Sequence, residues 1–222
     1  MESPAAPHPL LLTCALGIEH LALRRGLGRS PGRHDPNGGT APENVRLLRS
    51  GMGAQAARRA THRALAQEPV PGGTAVLATG FCAGLRPGMR PGDLVVASET
   101  RDPRGHTPCT GTELLATALA RYGTVHIGTL AGTDHVVRGQ ARAALYDAGA
   151  IAADMESAAT LDAAAAGTAR RPVAAVRVVV DAPGHELIRI GTLRGGISAF
   201  RVLRGVLPAF LEWHRSLLLP WR

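Results

Sequence analysis

Apolar stretches a few residues long recur along this chain, and longer Ala- and Arg-rich stretches with a helical period lie between them. Residues 9–15, 44–50, 74–79, 94–98, 124–130, 150–153 and 173–180 have the β-branched or continuous apolar character of buried strands. Residues 16–23, 54–67, 112–121, 139–148 and 156–166 read as helices. Residues 197–219 also carry a helix-like apolar period, with Pro208 marking a kink or a restart. Strands that alternate with helices in this way predict a mostly parallel sheet covered on both faces. The expected fold is α/β, a single-domain three-layer α/β/α sandwich spanning residues 1–222. Residues 1–8 are expected to be disordered, and 24–43 and 101–111 to be irregular loops, because they mix Gly, Pro, Arg and Asn without periodicity.

Composition narrows this picture only slightly. With 45% hydrophobic and 19% charged residues in 222, the chain is long enough to bury a substantial core. Aromatics are 3%, so that core is built from Ala, Val and Leu. The net charge of +8 comes entirely from arginine, scattered along the chain without interleaved aromatics. That pattern argues against a nucleic-acid partner. Three cysteines without CxxC spacing, and nine histidines without ligand spacing, exclude a disulfide framework and point to no metal. The N-terminal apolar run is too short to span a bilayer, and the expected location is the cytoplasm.

Candidate chemistry collects where apolar runs end in Gly or a lone acid, since an open α/β sheet binds ligands at the carboxyl ends of its strands. Glu19, Gly51-Met52-Gly53, Gly80-Phe81-Cys82-Ala83-Gly84, Gly132 to His135, Asp154-Met155-Glu156 and Asp181 all fit that description. The glycine turns are equally consistent with an anion-binding backbone and with tight strand-to-helix turns. Asp181 follows a run of valines, so its carboxyl is expected in a dry setting that favours the protonated form; capping the turn before Pro183 is the competing role. Glu156 is either a ligand group or ordinary helix-start chemistry. Glu19 is a candidate general base or a solvated helix residue. Arg177 either pairs with a carboxylate beneath the site or lies on the surface.

Taken together, these motifs resemble the nucleoside phosphorylase and nucleosidase superfamily. The matches run in order: Ala15-Leu16-Gly17-Ile18-Glu19, Ser50-Gly51-Met52-Gly53, Thr79-Gly80-Phe81-Cys82-Ala83-Gly84-Leu85, Pro91-Gly92-Asp93-Leu94-Val95-Val96, Asp154-Met155-Glu156-Ser157-Ala158-Ala159 and Arg177-Val178-Val179-Val180-Asp181. The resemblance implies that Asp181 protonates the purine as it leaves and that Glu19 deprotonates an attacking water. Glu156 would accept hydrogen bonds from the ribose hydroxyls, with Met155 packed on the sugar. Gly53, Phe81, Cys82, His135, Val136 and Asp154 would contact the nucleoside, and Arg177 would support the carboxylates. Within the superfamily the chain looks most like the hopanoid-associated branch, thought to release adenine from adenosylhopane.

Four departures shape the expected substrate. Val180 stands where the family usually has Ser before the acid, and Phe81 replaces a polar residue. The Gly-Asp-Pro-x-Arg phosphate segment of bacterial phosphorylases is absent, which favours water over phosphate as acceptor; phosphate as a co-substrate, held by Arg24, Arg46 or Arg49, is the alternative. No cofactor is expected. The loop 101–111 lacks aromatics that would close over a small 5′ group, leaving room for a bulky, lipid-linked one. Methylthioadenosine, S-adenosylhomocysteine or a futalosine-like compound is the second substrate expectation. A non-catalytic nucleoside- or nucleic-acid-binding protein is the alternative of another class. The family usually forms homo-oligomers, a dimer being favoured here. The apolar residues from Phe200 to Trp221 are either the last helix packing on the sheet or a peripheral membrane contact.

Overall fold

The computed structural model describes residues 9–28, 44–167, 171–183 and 192–217. Eight strands form one mixed sheet: β1 (Leu10–Cys14), β2 (Val45–Arg49), β3 (Ala75–Gly84), β4 (Leu94–Asp102), β5 (Gly105–Pro108), β6 (Val125–Gly132), β7 (Ala150–Asp154) and β8 (Val173–Asp181). The helices are α1 (Gly17–Leu27), α2 (Ala54–Leu65), α3 (Thr112–Leu119), α4 (Gly139–Asp147), α5 (Ser157–Ala165), α6 (Thr192–Gly205) and α7 (Leu207–Ser216). The strands read as unbroken apolar runs because both of their faces are covered. In β1, Leu10, Leu12 and Cys14 point into a core shared with α1, α3, α6 and α7, and Leu11 points into a second core with α2 and α5. The same period-two division separates Val176 and Val178 from Ala175 and Val179 in β8.

Most pairings are parallel, as expected: β1 with β2 and β3, β3 with β8, β4 with β6, and β6 with β7. The antiparallel pairs are β3–β7, β4–β5 and β4–β8. β3 is the pivot. It runs beside β8 from Val76 to Cys82, its register shifts between Cys82 and Ala83, and Ala83 and Gly84 then pair with β7. The ladder β3–β8–β4–β6–β7 thus returns to β3, and this part of the sheet closes on itself. That closure crowds the ends of β3, β7 and β8 together.

The structure revises three expectations. Residues 101–111 are not an irregular loop: Glu99 to Asp102 pair with Gly105 to Pro108 as an antiparallel hairpin. Its residues are polar because it is an edge, where Pro108 is tolerated. Arg24 to Leu27 belong to α1 rather than to the following loop, and residues 29–43 lie outside the described set. The segment Gly80–Gly84 continues β3 instead of turning away from it. Pro208 marks a restart, one of the two expected outcomes: α6 ends at Gly205 and α7 carries Pro208 in its first turn, where a missing N–H costs nothing. Leu203, Leu207, Phe210 and Trp213 are fully buried on the sheet and are not available to a membrane. Trp221 and residues 1–8 lie outside the described residues. Among the described residues no helix is long and apolar enough to cross a membrane.

At the edge remote from the strand ends discussed below, a part-buried ion pair ties the end of α2 to the start of β8. Arg171 donates to Glu68 Oε2 at 2.8 Å and Oε1 at 2.5 Å, and also to the carbonyls of Ala164 (2.9 Å) and Thr74 (2.7 Å). The Arg171 hydrogen bonds hold the Glu68 carboxyl down at about 2 from its ordinary 4.5. A depressed carboxyl contributes stability above its unfolded value and loses it as pH falls through its folded value. The expected outcome is that Glu68→Gln lowers stability at pH 7 by about 1–2 kcal/mol, solvent screening of a part-buried pair taken into account, and shows a weaker loss on acidification from pH 4.5 to 2. Denaturant titrations at both ends of that range check it.

Candidate active site

Glu19 enters from the first turn of α1 and is 2% exposed. Its Oε2 accepts the backbone N–H groups of Ala15 (2.9 Å) and Leu16 (2.8 Å), and its Oε1 accepts the N–H of Phe81 (2.7 Å). The Leu16 bond is half of a capping box at the helix start. Each carboxylate oxygen has about two lone-pair sites, so Oε1 keeps one acceptor position for a further donor. Gly80 makes this approach possible. A Cβ there would lie 2.5 Å from both Glu19 Oε1 and Arg177 Nη1, and φ is +139°. Only glycine lets the β3 backbone come this close to both groups.

Arg177 is 1% exposed and sits across from Gly80 in the β3–β8 register. Its Nη2 contacts Asp154 Oδ2 at 2.5 Å, its Nε donates to Ser157 Oγ at 2.9 Å, and its Nη1 donates to the Thr79 carbonyl at 3.0 Å. Burial works against its charge, but Asp154, Glu19 and Glu156 outweigh that and strengthen its hold on the proton. Asp154 also accepts Ser157 Oγ (2.6 Å) and N–H (3.2 Å), which pins the start of α5. Asp154 borders the cavity, as expected of a ligand contact, but its oxygens are engaged by protein donors.

Glu156, the residue before α5, is 8% exposed and accepts the N–H of Gly53 at 2.7 Å. Gly53 has φ +86° and stands at the N-terminus of α2, so the glycine turn does present an N–H to an anion, and that anion is Glu156. Burial raises the Glu156 carboxyl above its ordinary 4.5, aided by Asp154 and Glu19 and opposed by Arg177 and the Gly53 N–H.

Asp181 closes β8 and is 4% exposed. The expected dry surroundings are there, but they include a cation that the sequence does not advertise: Arg142 Nη2 of α4 donates to Asp181 Oδ2. Arg142 lies in Gly-Gln-Ala-Arg-Ala-Ala-Leu, where an Arg among alanines reads as a solvated helix face. The neighbouring strands decide otherwise.

Glu19, Asp154, Glu156 and Asp181 border a cavity of about 240 Å³. Phe81, Cys82, Met155, His135 and Val136 complete much of its wall, and Val180 points there too. Every residue named from the sequence as a substrate contact therefore borders the cavity, except Gly53, which reaches it through Glu156. His135 and Val136 are exposed at the rim, His135 paired with Asp134. Burial pushes the thiols of Cys14 and Cys109 up to about 12 and that of Cys82 up as well, so none is a ready nucleophile. Among the described residues no cluster of His, Cys, Asp and Glu could hold a metal ion.

A family model described as the phosphorylase superfamily matches residues 38–193. No curated protein matches the chain. Solved structures share the fold at low identity. A 5′-methylthioadenosine/S-adenosylhomocysteine nucleosidase from Neisseria meningitidis, in complex with methylthio-immucillin-A, superposes with a TM-score of 0.73 at 19% identity, covering 92% of this chain and 99% of its own. An S-adenosylhomocysteine nucleosidase from Streptococcus pyogenes, in complex with 5-methylthiotubericidin, gives 0.73 at 20% identity over 99% and 100%. The nucleosidase from Colwellia psychrerythraea 34H, in complex with adenine, gives 0.71 at 18% identity over 96% of each chain.

The close packing at Gly80 sets a test. Gly80→Ala is expected to destabilise the protein by roughly 2–4 kcal/mol, since neither a buried guanidinium nor a triply bonded carboxylate can move away cheaply. Thermal melting beside Gly88→Ala, whose added Cβ meets nothing within 4 Å, separates steric collision from backbone preference.

Proposed function

The chain belongs to the phosphorylase superfamily, and from that premise we propose that it hydrolyses the N-glycosidic bond of a 5′-substituted adenosine, releasing adenine. The supporting observation is the convergence of Glu19, Glu156 and Asp181, from three distant parts of the chain, on one cavity. In this reaction Asp181 gives a proton to the purine N7 while the C1′–N9 bond breaks and its electron pair passes into the ring. A water oxygen bonds to C1′ and its proton goes to Glu19, through the acceptor position left on Oε1. Glu156 accepts the ribose hydroxyls, and Met155 packs on the sugar. An acid on the leaving group and a base on the water at the opposite face is the division of labour of inverting glycosidases.

Water is favoured over phosphate as the acceptor. The described wall carries four carboxylates and neither arginine nor lysine, a poor setting for a phosphate dianion. Arg24, Arg46 and Arg49 are exposed.

For the 5′ substituent, the support is a second, larger groove of about 570 Å³ that shares Thr133, His135, Val137 and Met155 with the cavity. Ala144 and Leu145 of α4 and Ala158 and Ala159 of α5 give it an apolar side, and Arg58, Asp102, Arg104 and Asp134 also line it. Such a groove suits a bulky apolar group, and adenosylhopane is the substrate we favour. Methylthioadenosine or S-adenosylhomocysteine is the second candidate, favoured by the kind of enzyme the similar structures are.

Asp181→Asn is expected to lower adenine release by about a thousandfold with the fold retained; full turnover would sink the hydrolase assignment. Ala144→Trp, on an exposed position of α4 facing the groove, is expected to slow adenosylhopane turnover at least about tenfold while sparing methylthioadenosine. Equal effects on both would remove the groove from the substrate path.

A further inference from the structure

Arg142 is the one buried residue of α4; its neighbours Ala141, Ala143 and Ala144 are exposed. A helix that buries an arginine and leaves its alanines in solvent is not arranged for packing. Arg142 is 7% exposed, and while Nη2 reaches Asp181, Nε and Nη1 have no hydrogen-bond partner. Buried, unpartnered donors weigh against stability, so the fold carries Arg142 at a cost. Arg142 is not on the cavity wall, whereas Asp181 is. The guanidinium therefore stands behind the carboxyl, out of a ligand's reach.

We propose that Arg142 is a positioning residue for Asp181, fixing the carboxyl from behind and stabilising the negative charge that appears on it when its proton passes to the leaving base. This rests on the hydrolase reading above. Before transfer Asp181 is a neutral acid facing a fixed cation; after transfer the same carboxyl is an anion paired with it. The pair is stronger late in the step than early, so Arg142 lowers the barrier instead of simply tightening substrate binding. Among the described residues, the other charged groups bordering or supporting the cavity are Glu19 on α1, Asp154 on β7, Glu156 before α5, Arg177 on β8, and the Asp134–His135 pair after β6. Arg177 is committed to Asp154, Ser157 and Thr79, while Arg142 is paired with Asp181.

The test compares wild type, Arg142→Met, Arg142→Lys and Asp181→Asn on methylthioadenosine and on adenosylhopane, with kcat and KM taken across pH and each fold checked by melting. Arg142→Met is expected to lose about a hundredfold in kcat with KM changed by less than about threefold. Arg142→Lys restores at least about tenfold of that loss, since it returns the charge without the fork. Wild-type kcat in Arg142→Met, with Asp181→Asn inactive, would overturn this inference alone. So would a loss that follows the melting temperature and is not rescued by lysine, which is the mark of a structural role. Asp181→Asn as active as wild type, or no adenine released by wild type, overturns both this inference and the hydrolase reading.

Discussion

One buried cation organises the strand ends. Arg177 lies in the interior with three of its nitrogens engaged: β3 through the Thr79 carbonyl, β7 through Asp154, and α5 through Ser157. A lone guanidinium at that depth would cost several kcal/mol in lost hydration, and its partners recover this only if they are held in place. Arg177 therefore needs the carboxylates, and the carboxylates need Arg177. The closed ladder of strands brings β3, β7 and β8 within reach of a single side chain.

The carboxylates around this cation are compensated to different degrees. Asp154 takes the direct contact and two Ser157 donors. Glu19 takes three backbone N–H groups. Glu156 takes one, at the N-terminus of α2, and it is the carboxyl that burial pushes upward. A group left short of donors is the one best placed to accept them from a ligand, such as a pair of sugar hydroxyls. Asp154, with its oxygens occupied, serves instead to hold Arg177 and the start of α5.

Much of this was legible in the sequence because it depends on local pattern. The strand ends could be placed from apolar runs, and the carboxylates that close them stood out against valine and alanine. Arg177 could be singled out because a charge interrupts a run that alternation alone would make apolar. What stayed hidden depends on pairing. The need for Gly80 follows from its register with Arg177 and from the approach of Glu19, about sixty residues earlier in the chain. The 105–108 hairpin hid because an edge strand is allowed to be polar. Arg142 hid because a helical Arg among alanines has the pattern of a solvent face, and only the placement of α4 against β7, within reach of Asp181 at the end of β8, turns it inward.

The two buried arginines among the described residues also show why net charge says little about the cavity. A chain whose net charge of +8 is all arginine suggests an anionic partner in solution. At the cavity the balance is reversed, with four carboxylates on the described wall and both guanidiniums behind it. A cation behind a carboxylate neutralises burial cost without offering itself to a ligand, whereas a cation on the wall would draw anions in. This layering keeps the cavity suited to a neutral nucleoside and a water, and it places the positive charge where protonation of a departing base would leave negative charge behind.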